Sequence, residues 1–171
     1  LMDKNEFPWE AGCRYKTEEI LKLDWPKTSP FGENPTPPNN CPKDLMVMTW
    51  FDKNNVENHA NSKHHFQPRA GKTRFDSIPE GDDSRKSFKR IHRWRFSPTA
   101  AYGNNEVHLH PFKPRRLSAS ESLAIQSMPQ RYSIPRDVPL STMFKGIGNG
   151  VPFLAAKGVA TAINCFIKEN V

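Results

Sequence analysis

Several groups of residues have types and spacings that could do chemistry. Gly146-Ile147-Gly148-Asn149-Gly150-Val151-Pro152 places three glycines and an asparagine directly ahead of a stretch with helical periodicity. Glycines there let backbone N–H groups and the positive end of a helix approach a ligand closely, and Asn149 can donate and accept at the tip. The pattern is not the Gly-x-Gly-x-x-Gly fingerprint and no strand of a mononucleotide-binding unit precedes it, so a plain structural turn is the competing reading. Arg85 to Phe96 sets Arg85, Lys86, Lys89, Arg90, Arg93 and Arg95 among Phe88, Ile91, Trp94 and Phe96 with no acid between them. Cations that neutralise phosphates beside aromatics that stack on bases suit a nucleic acid surface. A solvated strand with Phe88, Arg90, His92, Trp94 and Phe96 on one face and Lys89, Arg93 and Arg95 on the other fits the same letters, and both readings can hold together.

Other chemistry finds less support. His64-His65 and His108/His110 lack the Cys or carboxylate partners that would complete a metal site. Cys13, Cys41 and Cys165 are odd in number and far apart, with no Cys-x-x-Cys pair. That argues against a disulfide framework or a zinc site and fits a reducing compartment. No Ser–His–Asp or Cys–His arrangement stands out.

The elements that must position these residues are unevenly distributed. Leu, Ile, Val and Phe number 35 of 171, of which 11 lie in residues 1–70 and 16 in residues 117–171. With a formal net charge of +7, the chain sits near the edge of what can bury a core, and a sequence pI near 9.5 asks for an anionic partner. No apolar run is expected to reach the ~20 residues of a membrane span, and no leader pattern is visible. Thr17 is a candidate N-cap for a short helix ended by Trp25-Pro26. Five prolines between Thr28 and Pro42 read as an extended linker or insertion. Leu45 to Phe51 fits a buried strand, though a short apolar run is ambiguous between strand and helix. Ser97 to Asn105 is turn chemistry around Tyr102-Gly103-Asn104-Asn105. Ser118-Ala-Ser-Glu121 is a capping box opening a helix over about 119–127. Phe153, Leu154, Ala156, Val159, Ala160, Ile163 and Ile167 recur at helical spacing, predicting a helix from Pro152 to about Lys168.

Taken together, residues 58–171 resemble the C-terminal part of carbon-5 cytosine DNA methyltransferases. The family's Arg-x-Leu-Thr-x-Arg-Glu helix is similar to Arg115-Arg-Leu117-Ser118-Ala-Ser-Glu121, and its Gly-Asn-x-Val-Pro turn to Gly148-Asn149-Gly150-Val151-Pro152. Asn58-His59, the stretch Arg74 to Gly81 with Ile78-Pro79, Ser97-Pro-Thr99-Ala-Ala-Tyr102-Gly103 and His110-Pro111 resemble its recognition-region landmarks, in the same order and spacing. Tyr15 to Pro26 resembles the segment that leaves the catalytic lobe.

The resemblance implies an α+β or α/β fragment: a small, mixed, loop-rich target-recognition region, then helices that would complete a Rossmann-like methyltransferase domain. Residues 1–57 would be a connector with a Pro-rich insertion, 58–114 the recognition region, and 115–171 helices returning to the cofactor lobe. It implies methyl transfer from S-adenosyl-L-methionine to carbon 5 of a flipped cytosine by covalent catalysis, with double-stranded DNA and a missing N-terminal catalytic lobe as partners, and no membrane. Gly148, Asn149, Gly150 and Val151 would border the cofactor. Lys89, Arg93, Arg95, Thr99, Tyr102, Gly103, Asn104 and Arg115 would face DNA. The setting would be the nucleus in a eukaryote, otherwise the cytoplasm. No catalytic residue and no metal ligand is expected within the chain, because the family's Phe-x-Gly-x-Gly strand and Pro-Cys nucleophile are missing from it. The terminal Glu169-Asn170-Val171 matches the family's glutamate motif in letters but not in order, so it reads as coincidence. Ser120, Leu123-Ala124, Met128 and Gly146 depart from the family pattern, marking a divergent member. An inactive DNA-binding or regulatory relative is therefore the alternative, and an unrelated nucleic-acid-binding module a third. If a lobe is missing, the closing helix should leave its apolar face partly exposed.

Overall fold

A computed structural model describes residues 14–68, 75–101, 103 and 106–170. They form two compact units, residues 24–150 and residues 14–23 with 151–170. Among the described residues there is no regular strand. Pairing is limited to isolated bridges, Ser29 with Glu80, Arg90 with Leu109, and Leu109 with Arg116. The mixed sheet-and-helix expectation is thus corrected for this region: loops and helices carry it.

The larger unit is built on three helices, α2 (Val47–Lys53), α3 (Ala119–Ile125) and α4 (Leu140–Asn149), with α3 packed between α2 and α4. Leu45 to Phe51 is a short 3-10 turn followed by α2, so the strand reading fails. Val47 and Phe51, four apart, share the buried face of a helix. The core joins these to Val56, Ile91, Val107, Leu117, Leu123, Ala124, Met143, Phe144 and Ile147. Residues 47–56, placed by sequence in a connector, therefore supply part of the core.

The capping box forms as the spacing requires: Ser118 Oγ accepts from Glu121 N at 3.3 Å, and Glu121 Oε2 accepts from Ser118 N at 2.8 Å. At the far end of α3, Gln126 Nε2 donates to the Ile147 carbonyl, satisfying one of the acceptors that the end of α4 leaves open. Gly146 to Asn149 is not a turn but the last part of α4. The stripe of Met143, Phe144 and Ile147 buries one side of that helix and outweighs the low helix propensity of its two glycines.

The smaller unit contains α1 (Thr17–Leu21) and α5 (Phe153–Asn170). Lys16, not Thr17, is the N-cap of α1, and the helix stops before Trp25-Pro26. On α5 the apolar residues Phe153, Leu154, Val159, Ile163 and Ile167 are 45–60% exposed, while Ala162 is buried, in keeping with the expected open face. Against expectation, Leu140–Glu169 is long and apolar enough to cross a membrane by length and composition alone. The helical path breaks at Gly150–Pro152, however, and the first half spends its apolar stripe on the protein core.

The loops of residues 75–116 are organised by one side chain. Arg90, fully buried, donates from Nε to the Ile78 carbonyl at 2.8 Å and from Nη1 to that of Lys113 at 3.2 Å, and also reaches the carbonyls of His110 and Phe75. Its guanidinium lies 4.3 Å from the Phe31 ring centroid. Burial pulls its pKa down to about 10, against the pull of Glu80 and Asp76, so the charge persists at neutral pH. Phe31 comes from the Pro-rich segment, which is no free linker. Ser29 exchanges backbone hydrogen bonds with Glu80 at 3.0 and 2.8 Å, and Pro35 O accepts from Trp94 Nε1 at 2.6 Å.

Removing Arg90 would leave several buried carbonyl oxygens without a donor. Arg90→Met is expected to destabilise residues 24–150 by about 3–5 kcal/mol, measured by urea unfolding of the full-length protein followed by tryptophan fluorescence. A loss below about 1 kcal/mol would show that the loops do not depend on it.

Candidate nucleic-acid interface

The residues read from sequence as DNA-facing divide sharply. Arg93 is buried: its Nε and Nη2 bind Glu80 at 2.8–3.1 Å, Nη1 donates to Asn34 Oδ1 at 2.6 Å, and Nη2 to Glu33 O at 3.1 Å. Its backbone N–H also donates to Glu80 Oε1 at 2.7 Å. This arginine joins the Pro-rich strap to the loops around Glu80 and is not a surface cation. Arg115 is half-buried in a bidentate pair with Glu121, at 2.7 and 2.8 Å. Both are corrections with one cause: a loop-rich interior buries carboxylates, and buried carboxylates need cations.

Lys89 and Arg95 are half-buried, and Arg95 Nη1 makes a long hydrogen bond of 3.4 Å to Gly81 O. No strand aligns the run 85–96, and Phe88 has a positive φ of 62°. Thr99 is exposed, and its carbonyl accepts from His108 Nε2 at 3.0 Å. Gly103 O closes the next turn by accepting from Glu106 N and Val107 N at 2.8 and 3.0 Å. Tyr102 and Asn104 lie outside the described residues. Of these residues Thr99 is exposed and Lys89, Arg95 and Gly103 are half-buried, while Arg93 and Arg115 are bound to buried carboxylates.

Two features escaped the sequence reading. Glu80 and Glu121 are the buried counterions, and nothing local in the sequence marks Glu80. Asn61, wholly buried, exchanges two hydrogen bonds of 2.9 Å with the backbone of Ile134. Burial alone would raise the Glu121 carboxyl. Its bonds to Arg115, with His110 and the Ser118 N–H, outweigh that and hold it below the usual range.

Of the four residues proposed to border a cofactor, Gly148 and Asn149 are helical and Val151 is exposed. Gly150 N donates to Gly146 O and Ile147 O at 3.1 and 3.2 Å. A Cβ at Gly150 would meet those same oxygens at 3.3 Å, so the glycine serves the close of its own helix. None of these residues aims a buried, unpartnered polar atom outward.

A family model for C-5 cytosine-specific DNA methylase matches residues 17–165. The chain belongs to this family. It is 52% identical over 165 residues to the type II methyltransferase M.NmeDI of Neisseria meningitidis serogroup C, covering 96% of this chain and 39% of that protein. It is 43% identical over 64 residues to M.OihORF3336P of Oceanobacillus iheyensis, covering 37% of the chain and 13% of that protein. It is also 31% identical over 88 residues to the type II methyltransferase M.AquIB of a Picosynechococcus strain, covering 46% of the chain and 63% of that protein. The chain therefore spans about two fifths of the length of M.NmeDI.

Arg115→Gln and Arg93→Gln should lower stability, by about 3–5 kcal/mol where a buried carboxylate loses its partner. Lys89→Ala and Thr99→Ala should change it by no more than about 0.5 kcal/mol. Thermal or urea unfolding of the four variants checks this division.

The buried histidines set an acid limit. Burial pushes His110 down to about 3, and its Nδ1 already accepts from Phe112 N and Lys113 N at 3.3 and 3.1 Å. His92 and His108 are lowered by burial too. Such rings take up a proton on unfolding and not in the fold, so the stability they supply is present above about pH 6.5 and lost as pH falls toward 3. The melting midpoint should drop between pH 7 and pH 5, ahead of the carboxylates. His110→Asn should flatten that slope, and a midpoint level across this window would refute the assignment.

Proposed function

We propose that this chain is the target-recognition and C-terminal portion of a DNA (cytosine-5)-methyltransferase, in which residues 75–116 hold the loops that read double-stranded DNA. In the intact protein, methyl would pass from S-adenosyl-L-methionine to carbon 5 of a cytosine extruded from the duplex. The observation that carries this reading is the family match over most of the chain. One other agrees with it: the exposed apolar face of α5, suited to covering by further protein. S-adenosylmethionine supplies the methyl group when bound, while Thr99, Tyr102, Gly103 and Asn104 would position the duplex. The nucleophile would be a cysteine outside these 171 residues.

Ser120 and Leu123, two departures from the family pattern, are occupied by packing. Ser120 Oγ donates to Val56 O at 3.0 Å and bonds Ser118 Oγ at 2.9 Å, and Leu123 is a core residue. Both departures therefore sit in the interior of the unit that contains α3.

The intact protein should transfer labelled methyl from S-adenosylmethionine to cytosine in duplex DNA, and these 171 residues alone should not. Binding without turnover by the intact protein would favour the inactive relative. Thr99→Ala should weaken DNA binding without altering the melting midpoint, as read by a fluorescence titration.

A further inference from the structure

A groove of about 310 Å³ lies beside α2, a size at the lower end of small-ligand pockets, which run from about 300 to 1,000 Å³. Buried Phe51 and Val56 and half-buried Met48 and Phe112 give it apolar walls. Two buried polar side chains, His110 and Glu121, also line it. Apolar walls with a few convergent polar groups are the usual make-up of a ligand site.

The His110 ring is fixed by its neighbours. Its Nδ1 accepts from Phe112 N at 3.3 Å and from Lys113 N at 3.1 Å, so the neutral ring carries its proton on Nε2. The Phe51 and Phe112 rings pack against it, with centroids 5.7 and 4.5 Å away. Nε2 lies 3.5 Å from Glu121 Oε1 and makes no hydrogen bond among the described residues. Unlike the unpartnered nitrogens of His64, His92 and His108, it is not sealed from solvent. Glu121 has an acceptor position to spare: Oε2 takes Arg115 Nη1 and Ser118 N, while Oε1 takes Arg115 Nη2 and keeps a lone pair. A donor and an acceptor thus stand side by side. Glu57 is paired with Lys113 at 2.7 Å and Glu121 with Arg115. The lining is left with the carboxylate of exposed Asp52, which disfavours a phosphate.

We propose that this groove binds a planar, uncharged heterocycle through an edge that carries an acceptor next to an N–H, the edge that nucleobases present. The ring's acceptor takes His110 Nε2–H, and its N–H donates to Glu121 Oε1. The apolar walls cover the rest of the ring, the combination by which proteins hold an unpaired base. Such an edge satisfies both protein groups at once, whereas an apolar ring would leave both without partners. The inference stands on this geometry and does not require the methyltransferase reading.

The test titrates full-length protein labelled with ¹⁵N-histidine with 1-methylcytosine, 1-methyluracil and 1,3-dimethyluracil, the last of which keeps the ring and loses the N–H. The His110 Nε2 resonance should shift with the first two and not with the third. His110→Asn keeps an acceptor for the Phe112 and Lys113 N–H groups but is too short to replace Nε2, and should weaken binding about tenfold. Should that variant fail to fold, the wild-type spectra decide alone. Deoxycytidine and an oligodeoxycytidylate separate the two sources of such a ring. A shift with deoxycytidine alone makes the ligand a free nucleoside, a shift with both makes it a base on a strand, and either supports the site. An equal shift with 1,3-dimethyluracil would show an apolar slot that reads no edge and overturn the proposal. A His110 resonance unmoved by every probe would leave a groove that holds only water, and would overturn it too.

Discussion

A buried carbonyl oxygen needs a donor, and a region without regular strands cannot supply donors from a ladder. Residues 75–116 meet that need with the guanidinium of Arg90, which reaches carbonyls from four separate loop positions. Arg116 does the same on a smaller scale, donating to the Val107 carbonyl while its guanidinium lies 4.7 Å from the Phe88 ring centroid. The fixed fork of the arginine head makes this possible, since it presents five donors in one plane where lysine offers a single swivelling ammonium. Loop geometry in this protein is therefore a property of a few interior cations.

Those cations call for anions. Glu80 takes Arg93 and faces His92, while Glu121 takes Arg115, faces His110 and still serves as half of the α3 capping box. Arg90, Arg93, Arg115 and Arg116, indistinguishable in the one-dimensional sequence from surface cations, are thus held in internal interactions. Of the basic run 85–96, Arg90 and Arg93 are committed to the interior, Lys89 and Arg95 are half-buried, and Arg85 and Lys86 are exposed.

What was legible in the sequence was local. The capping box at Ser118 follows from letters three apart, and α5 from the spacing of its apolar residues. α2 and the helical state of Gly146 to Asn149 were misread because packing against α3 decides them, and no window of adjacent residues contains that contact. The Pro-rich segment looked like a linker since its partners, Glu80, Arg90, Arg93 and Trp94, lie some sixty residues away. For the site, the interior roles of Arg93 and Arg115 were not legible, because their charge is indistinguishable in sequence from that of surface arginines until Glu80 and Glu121 are placed.

Arg90 binds main-chain oxygens, and this has a consequence for how such a region can change over generations. The acceptors at positions 75, 78, 110 and 113 are present whatever side chains those residues carry. Exchange of letters at the acceptor positions is limited by shape alone, whereas the donor has no substitute. A framework of this kind tolerates drift in the loops it holds while the scaffold beneath keeps its architecture.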